Sequence, residues 1–280
     1  MKKYTLLLTL FCLCAAIQIH AQLTYTTQFK STLSQRISKM IITADGGSII
    51  TTSKPDSALR TRIVFSKIKA NGTPAWAKDY GTANRIISIQ SVSRFNGNGV
   101  LACLSSTNYS FGDPKLLIIN LDSSGNIVWQ REVRSLNNQI GESFSGLLTA
   151  TKDGGFYYVQ QNTRFYSDYM GPHCSLYKFD GDGNIIWSNQ FNIEAESDYG
   201  TWITDLTETS DKGIVMAITT LGCETYCYYF YLMKFNSNGK FEWKYDNNKS
   251  INSYGTPIQL LTADENNNVS FIFQGGYPFS

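Results

Sequence analysis

Short runs rich in Ile, Val, Thr, Tyr and Phe alternate along this chain with clusters of Gly, Asn, Asp and Pro. Apolar and β-branched runs punctuated in this way predict β-strands joined by tight turns. No stretch keeps a 3.6-residue apolar spacing over the length of a helix, so helices are not expected. Strands are expected, for example, at Gly146 to Ala150, Phe156 to Gln161, Ser175 to Phe179 and Asn184 to Phe191. The sequences between them, Asp153-Gly154-Gly155 and Asp180-Gly181-Asp182-Gly183-Asn184, suit hairpin turns. Gly supplies positive φ there, and Asp or Asn bonds its own backbone.

The pattern repeats. Four copies of a strand followed by a Gly-x-x-x-Trp turn run Ser66 to Trp76, Ile119 to Trp129, Tyr177 to Trp187 and Met233 to Trp243, with steps of 53, 58 and 56 residues between tryptophans. A second landmark, the turn glycine Gly47 of Asp45-Gly46-Gly47, returns as Gly99, Gly155 and Gly213 and then degenerates to Asn266-Asn267-Asn268. Four strands in a unit of this length, repeated in tandem, predict an all-β fold, a β-propeller of four-stranded antiparallel blades with four full repeats and a partial fifth. Trp76, Trp129, Trp187 and Trp243 then have a scaffold role as wedges between neighbouring blades, each indole N–H needing an acceptor such as a loop carbonyl. Leu23 to Phe29 precedes the first Asp-Gly-Gly turn where a fourth strand belongs, and Pro257 to Ala263 with Val269 to Gln274 supply two strands of a fifth repeat. Two readings of the ends stay open: a five-bladed ring one strand short, or a chain truncated from a larger ring.

Residues 1–21 read as a signal peptide: Lys2 and Lys3, an apolar run from Leu6 to Ile19, and Ile19-His20-Ala21 as a cleavage site. The apolar run is shorter than the ~20 residues a transmembrane span needs. Residues 22–280 form one repeat domain on this reading, exported to the periplasm, outer surface or medium. Without the two leader lysines, the 24 basic residues of the whole chain fall to 22, against 22 acidic ones. A formal charge of zero with no basic run argues against nucleic acid as a partner. Four cysteines remain: Cys103, Cys174, Cys223 and Cys227. In an exported chain a Cys223–Cys227 bridge at the base of a loop is one reading, and free buried thiols are the other.

The motifs that would carry chemistry fail in detail. Asp180 to Asn184 begins like a calcium loop, but Ile185 and Phe191 stand where that loop needs Gly and Glu. His173-Cys174 with Cys223 and Cys227 is a loose match to zinc spacing. The turns resemble sialidase Asp-boxes, yet their Gly-to-Trp gap is one residue longer, and no paired carboxylates mark a glycosidase. No metal, cofactor or catalytic residue is therefore expected. Residues outside the repeat are the better candidates for ligand binding: Tyr166, Tyr169 and His173 in the long link after the second strand of the third unit, and Tyr199 and Trp202 before the fourth. Departures from the repeat are where such scaffolds place binding, and Tyr and Trp suit sugar stacking or protein contact.

With Asp-Gly-Gly, then Ile119-Asn120-Leu121-Asp122 or Tyr177-Lys178-Phe179-Asp180 and Gly-Asn-x-x-Trp in register, the chain resembles the exported β-propeller repeat proteins of Bacteroidetes. The resemblance covers residues 23 to about 274. It implies export, often by type IX secretion, although no C-terminal sorting sandwich follows Gln274. A weaker likeness is to PQQ-type repeats, whose Ala-x-Asp-x-x-Thr-Gly pattern these copies lack. The expectation is a non-enzymatic surface or secreted module that binds protein or glycan. The alternative is an accessory propeller of a larger secreted enzyme or adhesin.

Overall fold

A computed structural model describes residues 36–55, 61–81, 85–108, 115–133, 143–163, 173–193, 201–221, 227–246, 251–252 and 260–272. The first sheet is β1 (Arg36–Ile42), β2 (Ser48–Pro55), β3 (Thr61–Ile68) and β4 (Pro74–Tyr80). The second holds β5 (Arg85–Phe95), β6 (Gly99–Asn108), β7 (Lys115–Leu121) and β8 (Ile127–Val133). The third holds β9 (Ser143–Ala150), β10 (Phe156–Thr163), β11 (His173–Phe179) and β12 (Ile185–Asn192). The fourth holds β13 (Thr201–Glu208), β14 (Ile214–Leu221), β15 (Cys227–Phe235) and β16 (Phe241–Asp246), with β17 (Ile251–Asn252) pairing on β15. A fifth sheet consists of β18 (Leu260–Ala263) and β19 (Val269–Ile272).

Every sheet is an antiparallel meander in chain order. The first strands pack on one another in succession, β1 on β5, β5 on β9, β9 on β13 and β13 on β18. They are therefore the inner strands of radially arranged blades, and the protein is a β-propeller.

The core lies between the blades. Ile49, Ile63 and Phe65 of the first sheet meet Ile87, Val100 and Ala102 of the second. The other face of the second sheet, with Leu101, Cys103 and Ile118, meets Leu148, Phe156 and Tyr158 of the third. Tyr157, Val159 and Leu176 meet Ile203, Met216 and Tyr231 of the fourth, whose Val215 and Leu232 meet Leu261 of the fifth. The second strands of the middle three sheets, β6, β10 and β14, are thus buried on both faces, which explains the near-continuous apolar run in the half of each nearest the tight turn.

The first sheet has a neighbour on one face only among the described residues. On its other face Ile37, Met40 and Ile42 are 67 %, 62 % and 66 % exposed. A sheet hides an apolar row of this kind against a further layer of structure.

Candidate functional site

The meander fixes two different rims. Turns joining first to second and third to fourth strands leave one rim, and links joining second to third strands and one blade to the next leave the other. On the first rim eight of the nine turns among the described residues span five residues, and the ninth, Asn96-Gly97-Asn98, spans three. On the opposite rim the links between consecutive strands, from β2–β3 to β14–β15, run from four residues to nine.

The tight-turn rim is a set of contacts between blades. Trp76 Nε1 donates to Ser123 O at 2.9 Å, Trp129 Nε1 to Gly181 O at 3.2 Å and Trp187 Nε1 to Ser237 O at 2.9 Å, each reaching the third-to-fourth turn of the next blade. The ring lies over the glycine of that turn. A Cβ on Gly125 would come within 2.9 Å of Trp76, on Gly183 within 3.1 Å of Trp129, and on Gly239 within 2.6 Å of Trp187. These glycines also hold positive φ, 76°, 78° and 78°, which closes the turn. Tyr80 Oη and Asn189 Nδ2 add second bonds, to Gly125 O and Gly239 O. Trp243 packs instead against Val215, Leu232 and their neighbours at the fourth-to-fifth interface.

Gly47, Gly99, Gly155 and Gly213 meet a different limit. A Cβ at each would run into a third-strand carbonyl, that of Ile68, Leu121, Phe179 and Phe235 respectively. Three of these turns surround a buried lysine on that strand. Lys67 contacts Thr43 and Asp45, Lys178 contacts Thr151 and Asp153, and Lys234 contacts Asp211 and Glu242. Hydrogen bonds from Lys67 and then Thr43 hold the Asp45 carboxyl far below its ordinary range. Burial works to raise Asp153, but bonds from Thr151, Lys178 and the Gly155 N–H outweigh it and lower its pKa to about 2. The Thr-x-Asp pair recurs in the first, third and fourth repeats, with the Lys following the Asp by 22, 25 and 23 residues, a pattern visible in sequence only once the repeats are aligned.

The calcium-like turn has its acid already engaged. Asp180 Oδ1 accepts the N–H groups of Asp182 at 3.0 Å and Asn184 at 2.8 Å, and Oδ2 accepts from Asn184 Nδ2. Asp122 and Asp264 do the same in their own turns. These carboxylates close hairpins.

On the link rim, Tyr166, Tyr169 and Tyr199 lie outside the described residues, as does Cys223. His173 and Trp202, expected in links, belong to strands: His173 opens β11 opposite Asn162 and Asn192, and Trp202 pairs with Thr219 within the fourth sheet. Ladder hydrogen bonding extends these strands beyond the apolar cores that mark them in sequence. Cys227 opens β15, Cys103 is a free, buried thiol, and Cys174 is buried. Burial pushes the Cys103 thiol up to about 12, which removes its thiolate at neutral pH.

At this rim the second strands turn polar. Ser106, Gln160, Gln161, Thr219 and Thr220 are all buried, where the same strands nearer the tight turns carry Val, Leu, Tyr and Met. Gln161 crosses to the next blade, its Nε2 donating to Thr201 O and its Oε1 accepting from Ile203 N at 2.8 Å. Both backbone neighbours of Trp202 are therefore fixed by one buried amide, while the indole itself is 41 % exposed.

No family model matches the sequence, and no curated protein matches it. Solved structures resemble it in fold. A subtype N10 neuraminidase-like protein of A/little yellow-shouldered bat/Guatemala/060/2010 aligns over 81 % of this chain and 77 % of its own, at 8 % identity and a TM-score of 0.44. An ancestral GH74 enzyme aligns over 86 % of this chain but 39 % of its own, at 10 % identity and a TM-score of 0.34. A structure described as the eukaryotic initiation factor aligns over 76 % and 55 %, at 9 % identity and a TM-score of 0.33. At such identities these likenesses concern the fold alone.

Proposed function

We propose that the protein is an exported propeller that binds a protein or glycan ligand through its link rim. The observation that carries this reading is the division of labour between the rims. On the tight-turn rim the repeated Trp, Asp and Lys side chains contact their own or a neighbouring blade, and the repeated Gly residues leave room for that approach. The link rim has variable connections, buried hydroxyl and amide groups, and an exposed tryptophan outside the repeat. Variable links on a rigid frame are where binding evolves without loss of the fold. The leader-like N-terminus and balanced charge support action outside the cell on a partner other than nucleic acid.

The test applies one set of variants to glycan arrays and to purified partners from the secreted fraction. Tyr169→Ala and Trp202→Ala are expected to abolish binding, and Asp182→Arg on the opposite rim to preserve it. Loss on Asp182→Arg with retention on the other two overturns the reading.

A second reading, an accessory propeller within a larger secreted enzyme or adhesin, is favoured by one observation: the exposed row Ile37, Met40 and Ile42 on the first sheet. Further chain packed on that row would protect the β1 amides from hydrogen exchange in the parent protein. Free exchange there would remove this alternative.

A further inference from the structure

Trp202 is the one tryptophan of five that stands outside the repeat register. It sits on the inner strand of the fourth sheet, and its cross-strand partner is Thr219. Partners of this kind share a face with their Cβ atoms about 5 Å apart. The corresponding pair in the second sheet is Ser88 and Ser105, so an aromatic here is not required by the fold.

The second-strand position that holds Thr219 carries a polar group in the neighbouring sheets as well, and there it has a partner. Ser105 Oγ accepts from Gln90 Nε2 at 2.8 Å. Gln161 bonds Thr201 and Ile203. Thr219 is 2 % exposed, and its Oγ1 is buried with no hydrogen-bond partner among the described residues. A buried hydroxyl without a partner costs about 1–3 kcal/mol, so its persistence beside an exposed aromatic calls for an explanation.

We propose that Trp202 and Thr219 form a subsite for a neutral saccharide, a deepening that rests on the link-rim reading above. The indole supplies a flat apolar face for the C–H side of a pyranose ring, and the Thr219 hydroxyl completes its hydrogen bonding with a sugar hydroxyl. Gln161 and the Thr201 Oγ1 to Thr220 Oγ1 contact at 3.1 Å hold the strand under the indole, so little ordering remains to oppose binding. The buried polar groups of this rim, Gln160, Gln161, Thr219 and Thr220, are amides and hydroxyls without formal charge. Uncharged groups of this kind suit a polyol, and the described cation of this rim that bonds a buried hydroxyl, Arg85 on Ser106, belongs to the second sheet.

The whole chain is run on native gels cast with soluble starch, xylan, laminarin, mannan or hydroxyethyl cellulose, with polygalacturonate as the anionic control. The matching hexasaccharides are then titrated by tryptophan emission. At least one neutral polymer is expected to retard the protein and its hexasaccharide to shift the emission. Trp202→Ala is expected to weaken affinity at least tenfold and remove that shift, and the isosteric Thr219→Val to weaken it three- to tenfold with unchanged unfolding. Retardation by polygalacturonate alone, by none of the polymers, or equally in Trp202→Ala overturns the proposal. A partner that needs Tyr169 and ignores both Trp202 and Thr219 removes the saccharide subsite and leaves the link-rim reading standing. A ligand lost only on Asp182→Arg removes both.

Discussion

Trp129 and Trp202 show the contrast between the two rims of this propeller. Trp129 lies over Gly183 of the next blade, donates to Gly181 O, and has equivalents in Trp76 and Trp187. Trp202 has no counterpart in its sister strands and leaves 41 % of its surface to solvent. The same residue type is part of the frame where it recurs, and free to meet a ligand where it does not. Repetition therefore separates scaffold from candidate site better than residue chemistry does in this chain.

The contrast can be broken at several points. The severest lies at Gly155, where a side chain runs into the Phe179 carbonyl. Gly155→Val is expected to cost more than about 3 kcal/mol, because the obstacle is backbone and the residue is buried in the turn. Urea unfolding of the purified variant, or its failure to accumulate, checks this. Gly183→Ala places a Cβ 3.1 Å from Trp129 at a φ of 78°. A loss of about 1–3 kcal/mol is expected, with the same binding as the parent protein. An unchanged midpoint would show that the indole is not seated on the turn.

Lys178→Met leaves Asp153 without its buried partner, and a loss of about 1–3 kcal/mol at neutral pH is expected. Its pH dependence sharpens the point. The Asp153 carboxyl titrates at about 2 in the fold against 3.8 for a free side chain. The stabilisation tied to its charged form is thus complete above about pH 4 and fades as pH falls toward 2. The gap in stability between parent and Lys178→Met should be level above pH 4 and narrow below it. A gap independent of pH down to 2 would remove the ion pair from the account. Asp205 and Glu208, whose pKa values burial raises, act in the opposite sense, so the difference between proteins is the quantity to follow rather than the parent curve alone.

The smallest expected effect on stability is that of Thr219→Val, within about 0.5 kcal/mol of the parent or slightly stabilising, because it removes a buried hydroxyl that has no partner among the described residues. Thermal unfolding checks it directly. A loss above 1 kcal/mol would mean that the hydroxyl is engaged within the fold.

Much of the architecture was legible in the sequence because each blade repeats the same turn chemistry. Gly-x-x-x-Trp gave the register of the third-to-fourth turns, and Asp-Gly-Gly that of the first-to-second. The strand limits were less legible. His173 and Trp202 read as link residues because the turn-forming Gly171-Pro172 and Asp198-Tyr199-Gly200 stand just before them in sequence, while the backbone ladder already runs through both. The buried lysines were missed for a related reason. Lys67, Lys178 and Lys234 look like surface charges until the fold closes the Thr and Asp of the preceding turn around them. The unpartnered Thr219 hydroxyl is a property of packing between sheets, and no local pattern announces it.

The central claim, that repeated tryptophans hold the blades together while Trp202 does not, is tested most directly by urea unfolding of Trp129→Ala and Trp202→Ala side by side. A loss of about 2–4 kcal/mol is expected for Trp129→Ala, from a half-buried indole and its hydrogen bond. For Trp202→Ala the expected loss is below about 1 kcal/mol. Equal losses, or a larger one for Trp202→Ala, would contradict the account.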